Sequence, residues 1–209
     1  MTAVLRRRER RGVMTMEFLS AGARSPMPWK NGGGTTYEVA ARREDEGGGL
    51  ADFDWRISLA DVAAHGPFSS FAGYDRIITL VRGPGMVLTV DGVGHRIDVP
   101  FQPFAFAGGS ATDCRVLGGP LLDFNVMVRS GRVRACVDIV HLDGPVAVPV
   151  AVAESETVVV MDFQGRAMVR GTSRVELRPL DAVQLRAESE VSASSDATAV
   201  LAVVRLTDR

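Results

Sequence analysis

The segment Pro28-Trp29-Lys30-Asn31-Gly32-Gly33-Gly34-Thr35-Thr36 places an aromatic face, a cation, an amide and a run of glycines side by side. Glycine lets backbone N–H groups approach a ligand closely, and exposed amides of this kind form anion-binding concavities. The Gly-x-x-x-x-Gly-Lys-[Ser/Thr] spacing of a nucleotide triphosphate loop is missing. A turn between two strands is the plainer use of the same glycines.

Other polar residues recur at strand spacing. In Trp55-Arg56-Ile57-Ser58-Leu59-Ala60-Asp61, alternation sets Arg56, Ser58 and Ala60 on one face and Trp55, Ile57 and Leu59 on the other. If the apolar face packs on a neighbouring sheet, Arg56 and Ser58 point inward; the alternative is a solvated outer face. In Asp123 to Arg129, alternation sets Asp123, Asn125, Met127 and Arg129 together, and polar groups on an interior face require partners. Phe68 to Arg76 arranges aromatics around a turn that ends in Asp75-Arg76, for which an ion pair at the mouth is the expected role of Asp75.

These residues suit recognition of a small anion. Lys30 and Arg56 supply charge, a guanidinium pairs with a carboxylate through two hydrogen bonds, and Asn31 and Asn125 both donate and accept. The competing chemistry is that of a metal-independent isomerase or hydrolase, with Asp123 or Glu38 as general base and Lys30 or Arg56 stabilising developing charge. No nucleophile–base pair is legible, so binding is expected ahead of catalysis and no catalytic residue is assigned. Facial metal coordination draws clustered His and a carboxylate from adjacent strand positions. His65, His95 and His141 stand apart, so neither a metal nor another cofactor is expected.

The elements that must position these residues are strands. Trp55–Leu59, Arg76–Val81 and Met86–Val90 are short runs rich in β-branched residues, punctuated by Gly83-Pro84-Gly85, Asp91-Gly92, Val99-Pro100 and Ala107-Gly108-Gly109. An internal repeat runs through them. Ile77–Val81, Gly85, Pro100 and the strand ending at Arg129 are echoed by Val158–Met161, Gly165, Pro179 and the strand ending at Arg205. The order predicts two copies of one small antiparallel barrel. The first copy carries Trp, Lys, Asn, Asp and Arg at inward-capable positions and the second has few polar residues, so any chemistry is expected in the first.

The charged residues nearly cancel, 24 basic against 25 acidic, which gives no global field for nucleic acid or an anionic membrane. No apolar run reaches the roughly 20 residues of a spanning helix. Cys114 and Cys136 are expected to be reduced and structural. The arginine-rich opening reads as a disordered basic tail, with Met14 and Met16 as candidate starts, and Glu17 interrupts any export signal. The expected location is the cytoplasm.

Trp29-Lys30-Asn31-Gly32-Gly33-Gly34-Thr35-Thr36-x-Glu38, Trp55-Arg56-x-Ser58-x-Ala60, Gly66-Pro67-Phe68-Ser69-x-Phe71-x-Gly73-x-Asp75-Arg76 and Asp123-Phe124-Asn125 together resemble the HutD/Ves family. The resemblance implies a bicupin, two barrels of the cupin or jelly-roll type packed together. For the HutD branch it implies an accessory or regulatory role in histidine utilisation; Ves-like members answer to cold or stress. By this likeness Lys30, Asn31, Arg56, Ser58, Arg76, Asp123 and Asn125 are pocket residues, joined by Trp29, Gly33, Thr35 and Glu38 as the candidate ligand-binding set. The expected division is a tail over 1–15, an N-terminal barrel with the pocket over 16–130, and a degenerate barrel over 131–209. The expected partners are a small anionic metabolite and, for self-association, a second copy in a homodimer.

Overall fold

The structure is a computed structural model that describes residues 15–43, 52–153, 155–186 and 191–209. The expected basic tail, apart from Thr15, lies outside the described residues. The chain is all-β. In order, the strands are β1 (Thr15–Leu19), β2 (Pro26–Pro28), β3 (Gly34–Arg42), β4 (Trp55–Val62), β5 (Gly66–Pro67), β6 (Tyr74–Arg82), β7 (Met86–Val90), β8 (Val93–Ile97), β9 (Pro103–Ala107), β10 (Thr112–Val116) and β11 (Leu121–Arg129). There follow β12 (Val133–Asp143), β13 (Val148–Val150), β14 (Glu156–Gln164), β15 (Ala167–Arg170), β16 (Arg174–Leu177), β17 (Ala182–Arg186), β18 (Val191–Ser194) and β19 (Thr198–Asp208). No helix among the described residues is long and apolar enough to cross a membrane.

The strands form four antiparallel sheets, ordered β2-β3-β4-β11-β6-β9, β5-β10-β7-β8, β1-β17-β14-β19-β12 and β13-β18-β15-β16. Period-two alternation explains how they stack. In β4 and β11, Trp55, Ile57, Leu59, Phe124, Val126 and Val128 face one way and pack on Val159, Met161, Phe163, Ala202 and Val204 of the third sheet. The opposite face of the first sheet, with Ala60, Val62, Ile78 and Leu80, packs on Met86, Leu88, Ile97 and Cys114 of the second. The third and fourth sheets enclose a Val, Ala and Leu core in the same manner. Four layers result, with the two large sheets back to back in the middle. Each fully buried large side chain at that central seam contributes roughly 1.5–3 kcal/mol by leaving water. Both cysteines are free thiols, Cys114 buried and Cys136 exposed.

The bicupin architecture is present, with one refinement. Among the described residues each unit is a pair of facing sheets with open edges, a jelly roll rather than a cylinder closed by hydrogen bonds. The repeat is visible in the pairing: β4-β11-β6-β9 and β5-β10-β7-β8 recur as β12-β19-β14-β17 and β13-β18-β15-β16. Each copy carries a non-glycine residue of positive φ directly after a proline, Phe101 (63°) and Leu180 (72°). Their N–H groups donate to Leu80 O at 2.8 Å and Asp162 O at 2.7 Å.

Two sequence expectations need correction. The glycine equivalent to Gly165 is Gly83, not Gly85. A Cβ on Gly83 would meet Leu121 Cα at 2.7 Å, and one on Gly165 would meet Thr198 O at 2.5 Å and Ala199 Cα at 2.9 Å, so both serve close approach to the start of the matching strand, β11 or β19. The second concerns residues 16–19, assigned above to the N-terminal barrel. They lie in β1, which pairs with β17 from Thr15↔Arg186 to Leu19↔Ala182 and so extends a sheet of the second unit.

Candidate functional site

Along the inward face of the first large sheet, side chains change character from one end to the other. Val62 and Leu121 face each other in the apolar part, followed by Ala60↔Asp123, Ser58↔Asn125 and Arg56↔Met127. On the other flank of β11, Asp123 pairs with Leu80, Asn125 with Ile78 and Met127 with Arg76. The register therefore places Arg56 and Arg76 on either side of Met127, with Asn125 and then Asp123 progressively deeper. The polar end borders a cavity of about 590 Å³, also lined by Trp29, Lys30 and Asn31 from the β2–β3 turn and by Phe68, Ser69 and Phe71.

The walls hold the two arginines differently. Arg56 donates from Nε to Glu38 Oε2 at 2.9 Å, and Arg43 holds the same carboxylate through 3.0 and 2.7 Å bonds. Burial would raise the Glu38 carboxyl, but the hydrogen bonds and charges of Arg43 and Arg56 outweigh it and hold the group below its ordinary value. Arg76 is 5% exposed. Its guanidinium carbon lies 5.5, 5.7 and 4.9 Å from the ring centroids of Phe68, Phe71 and Phe106, a cation–π enclosure. It donates to Ser69 O at 3.4 Å, and its Nε has no hydrogen-bond partner. Burial pulls it down to about 10 against the attraction of Asp123, and the like charge of Arg56 acts in the same direction as burial.

Asp123 is 1% exposed, and neither carboxylate oxygen has a hydrogen-bond partner. Burial pushes it up to about 7; Arg76 opposes the rise and the like charge of Asp61 adds to it. Asn125 Oδ1 is buried and unpartnered as well. An orphaned buried polar atom costs about 1–3 kcal/mol, and three acceptor atoms are left so beside one cavity.

Of the predicted set, Trp29, Lys30, Asn31, Arg56, Ser58, Arg76, Asp123 and Asn125 line the cavity, and Gly33, Thr35 and Glu38 do not. The glycine run is a turn and not an anion nest. Gly32 donates to Trp29 O at 3.0 Å and Gly33 to Asn31 Oδ1 at 3.0 Å, which consumes those amides. Gly34 lets strand and indole meet, since a Cβ there would lie 2.4 Å from Asp61 O and 3.1 Å from the Trp29 ring. Thr36, opposite Ala60 in the register, is the threonine that lines the cavity, and it accepts the Trp29 indole N–H at 2.8 Å. Glu38 acts behind the wall by holding Arg56. Thr36, Phe68, Ser69 and Phe71 were missed; the aromatic turn was the signal for the last three. Asp75 faces away and accepts the Ser130 hydroxyl at 2.9 Å.

The histidines sit apart. His65 Nδ1 accepts the Val116 N–H at 3.0 Å, His95 leans on Phe104 at 4.7 Å, and His141 lies in β12. Among the described residues no group of three or more His, Cys, Asp or Glu could hold a metal ion.

The second unit shows what the first has kept. At the positions matching Arg76, Asp123 and Asn125, pairing places Val158, Leu201 and Val203. Arg205, matching Met127, lies 3.4 Å from Asp138 and 3.6 Å from Glu156, so cation and acids satisfy one another.

A family model described as HutD matches residues 21–203. Over 120 residues, 57% of this chain, the sequence is 48% identical to an uncharacterized 21.2 kDa protein in the hutC 3' region of Pseudomonas putida; the chain spans 62% of that protein's length. HutD from Pseudomonas fluorescens, in a structure described as a formate condition, is 37% identical, with a TM-score of 0.77 over 93% of this chain and 100% of that one. A conserved protein of unknown function from Pseudomonas aeruginosa is 32% identical, with a TM-score of 0.82 over 92% of this chain and 99% of that one.

Proposed function

The chain belongs to the HutD family, and on that premise we propose that it is a cytoplasmic accessory or regulatory protein of histidine catabolism that binds a small anionic metabolite in the cavity of its first unit. The observation that carries this reading is the pair Arg56 and Arg76 on either side of Met127, with Lys30 at the rim. Against these three cations the lining contributes one acid, Asp123, whose charge is weakened by burial. A carboxylate is the natural guest for two guanidinium groups. The rings of Trp29 and Phe68, their centroids 6.0 Å apart in a T-shaped contact, suit a planar or short-chain body behind the charge.

Calorimetric titration with formate, urocanate and N-formylglutamate tests the reading, with Trp29 fluorescence as a second readout. Arg56→Ala is expected to weaken binding by about 1.5–3 kcal/mol, the range for hydrogen bonds to charged groups, in a protein that still melts cooperatively. Equal affinity in the folded variant would remove Arg56 from the site. A metal-independent isomerase or hydrolase is the second reading, favoured by one observation: Asp123 sits close to neutrality beside the cavity. Turnover of one of these ligands, abolished by Asp123→Asn while binding persists, would establish it.

A further inference from the structure

Arg76 and Asp123 attract one another across the inner end of the cavity. Yet the guanidinium Nε and both carboxylate oxygens lack hydrogen-bond partners. The strand neighbours of Asp123 are Ala60 and Leu80, neither of which offers a side-chain donor. The two groups face a gap they do not close themselves.

Taking the cavity to bind a small anion, as proposed above, we infer that its floor receives a carboxylate as a hydrogen-bonded acid pair: one ligand oxygen on Arg76 and the other on an Asp123 that carries a proton. Two ionised carboxylates in contact at a dry site repel too strongly to persist, and one of them takes up a proton. The free ligand is ionised and the proton comes from solvent onto an Asp123 oxygen, so complex formation consumes one anion and one proton. Charge around the pair acts in both senses, with burial and Asp61 favouring the proton and the cations opposing it. From β4, Asp61 adds negative charge and Arg56 positive charge; β6 supplies Arg76, β3 the paired Glu38, and the β2–β3 turn Lys30. Cys114 of β10 stays a neutral thiol, pushed up to about 12 by burial and by the charges of Asp123 and Asp113. The Asp123 carboxyl, near 7 when the cavity is empty, moves further up when an anion arrives.

The inference is tested by calorimetric titration of the full chain with propionate, glutarate and N-formylglutamate, whose carboxyl groups remain ionised from pH 6 to pH 8.5. Titrations at each pH in buffers of different ionisation enthalpy count the protons exchanged. Uptake is expected to approach one proton per bound ligand at pH 8.5 and to be small at pH 6, with affinity falling about tenfold per pH unit above 7. Asp123→Asn supplies a neutral group of the same shape and is expected to bind without proton uptake, its affinity constant across the range. Binding by wild type without proton uptake at pH 8.5 would overturn the acid pair and leave the anion-binding reading standing. Uptake that persists in the folded Asn variant would also overturn it by placing the proton elsewhere. Failure of all three probes to bind wild type at pH 6 would overturn the anion-binding reading itself, and the acid pair with it.

Discussion

Asp123→Asn is expected to make the protein more resistant to unfolding as pH rises. In the unfolded chain an aspartate loses its proton near 3.9, whereas in the folded protein Asp123 keeps it to about 7. Between these values the folded state binds more protons than the unfolded one, so stability falls with rising pH and the loss is complete once pH passes the folded value. One pKa unit corresponds to about 1.36 kcal/mol, so the interval from pH 5 to pH 7 carries a loss of about 3 kcal/mol, all of it realised by pH 8. Asparagine has no proton to lose and escapes this term. Fixed differences between an amide and a carboxylic acid are the same at both pH values and cancel in the comparison. Urea unfolding followed by far-UV circular dichroism at pH 5 and pH 8, on wild type and variant, therefore gives two gaps that differ by about 3 kcal/mol in favour of the variant at pH 8. In thermal melts this corresponds to about 6–12 °C for a chain of this length. Parallel stability profiles for the two proteins across this range would refute the assignment of a near-neutral carboxyl to Asp123. The prediction also identifies Asp123 as a residue retained at a cost to stability, as expected of a binding group.

Further outcomes follow from the same structure. Phe163 is buried at the central seam, with ring centroids 5.1 Å from Phe124 and 5.7 Å from Phe101; Phe163→Ala is expected to lower urea stability by about 3–5 kcal/mol. Asp162 is buried and is raised to about 6, chiefly by burial and against a backbone hydrogen bond from Gln164. Asp162→Asn should thus also gain on wild type between pH 5 and pH 8, by about half as much as Asp123→Asn, with the change complete nearer pH 6. Elemental analysis of purified protein is expected to find no stoichiometric Zn, Fe, Mn, Ni or Cu, and one metal per chain in the first cavity would overturn the anion chemistry argued for it.

Legibility followed burial. In β4 and β11 one face meets the central seam and the other meets the cavity, so alternation alone separated Trp55, Ile57 and Leu59 from Arg56 and Ser58, and Phe124 from Asp123 and Asn125. In β3 most residues are only partly buried and the register shifts between Glu38 and Ala40, which is why alternation could not choose Thr36 over Thr35. The glycine run was ambiguous because close packing and ligand approach both require a missing Cβ, and Gly34 is used for packing. The repeat was found from spacing, but Gly83 and Gly165 correspond through the strands they touch, a relation that chain order does not carry. Phe68 and Phe71 belong to a turn whose aromatics had no periodicity, and their place over Arg76 emerges only in three dimensions.

The pairing of β1 with β17 also bears on how the chain is made. Thr15–Leu19 leave the ribosome long before their partner strand, Ala182–Arg186, is translated. Until then β17 has no edge to offer, and Met16 and Leu19, which pack against the hydrophobic cores, remain uncovered. Domains generally fold one after another from the N-terminus during synthesis, but here a strand of the second unit is made before the first unit and waits for β17. The pairing joins residues far apart in the sequence, a non-local contact of the kind that slows folding. Excising the second unit at the Arg129–Val133 junction would remove from it a strand of its own sheet and leave that strand unpaired on the first.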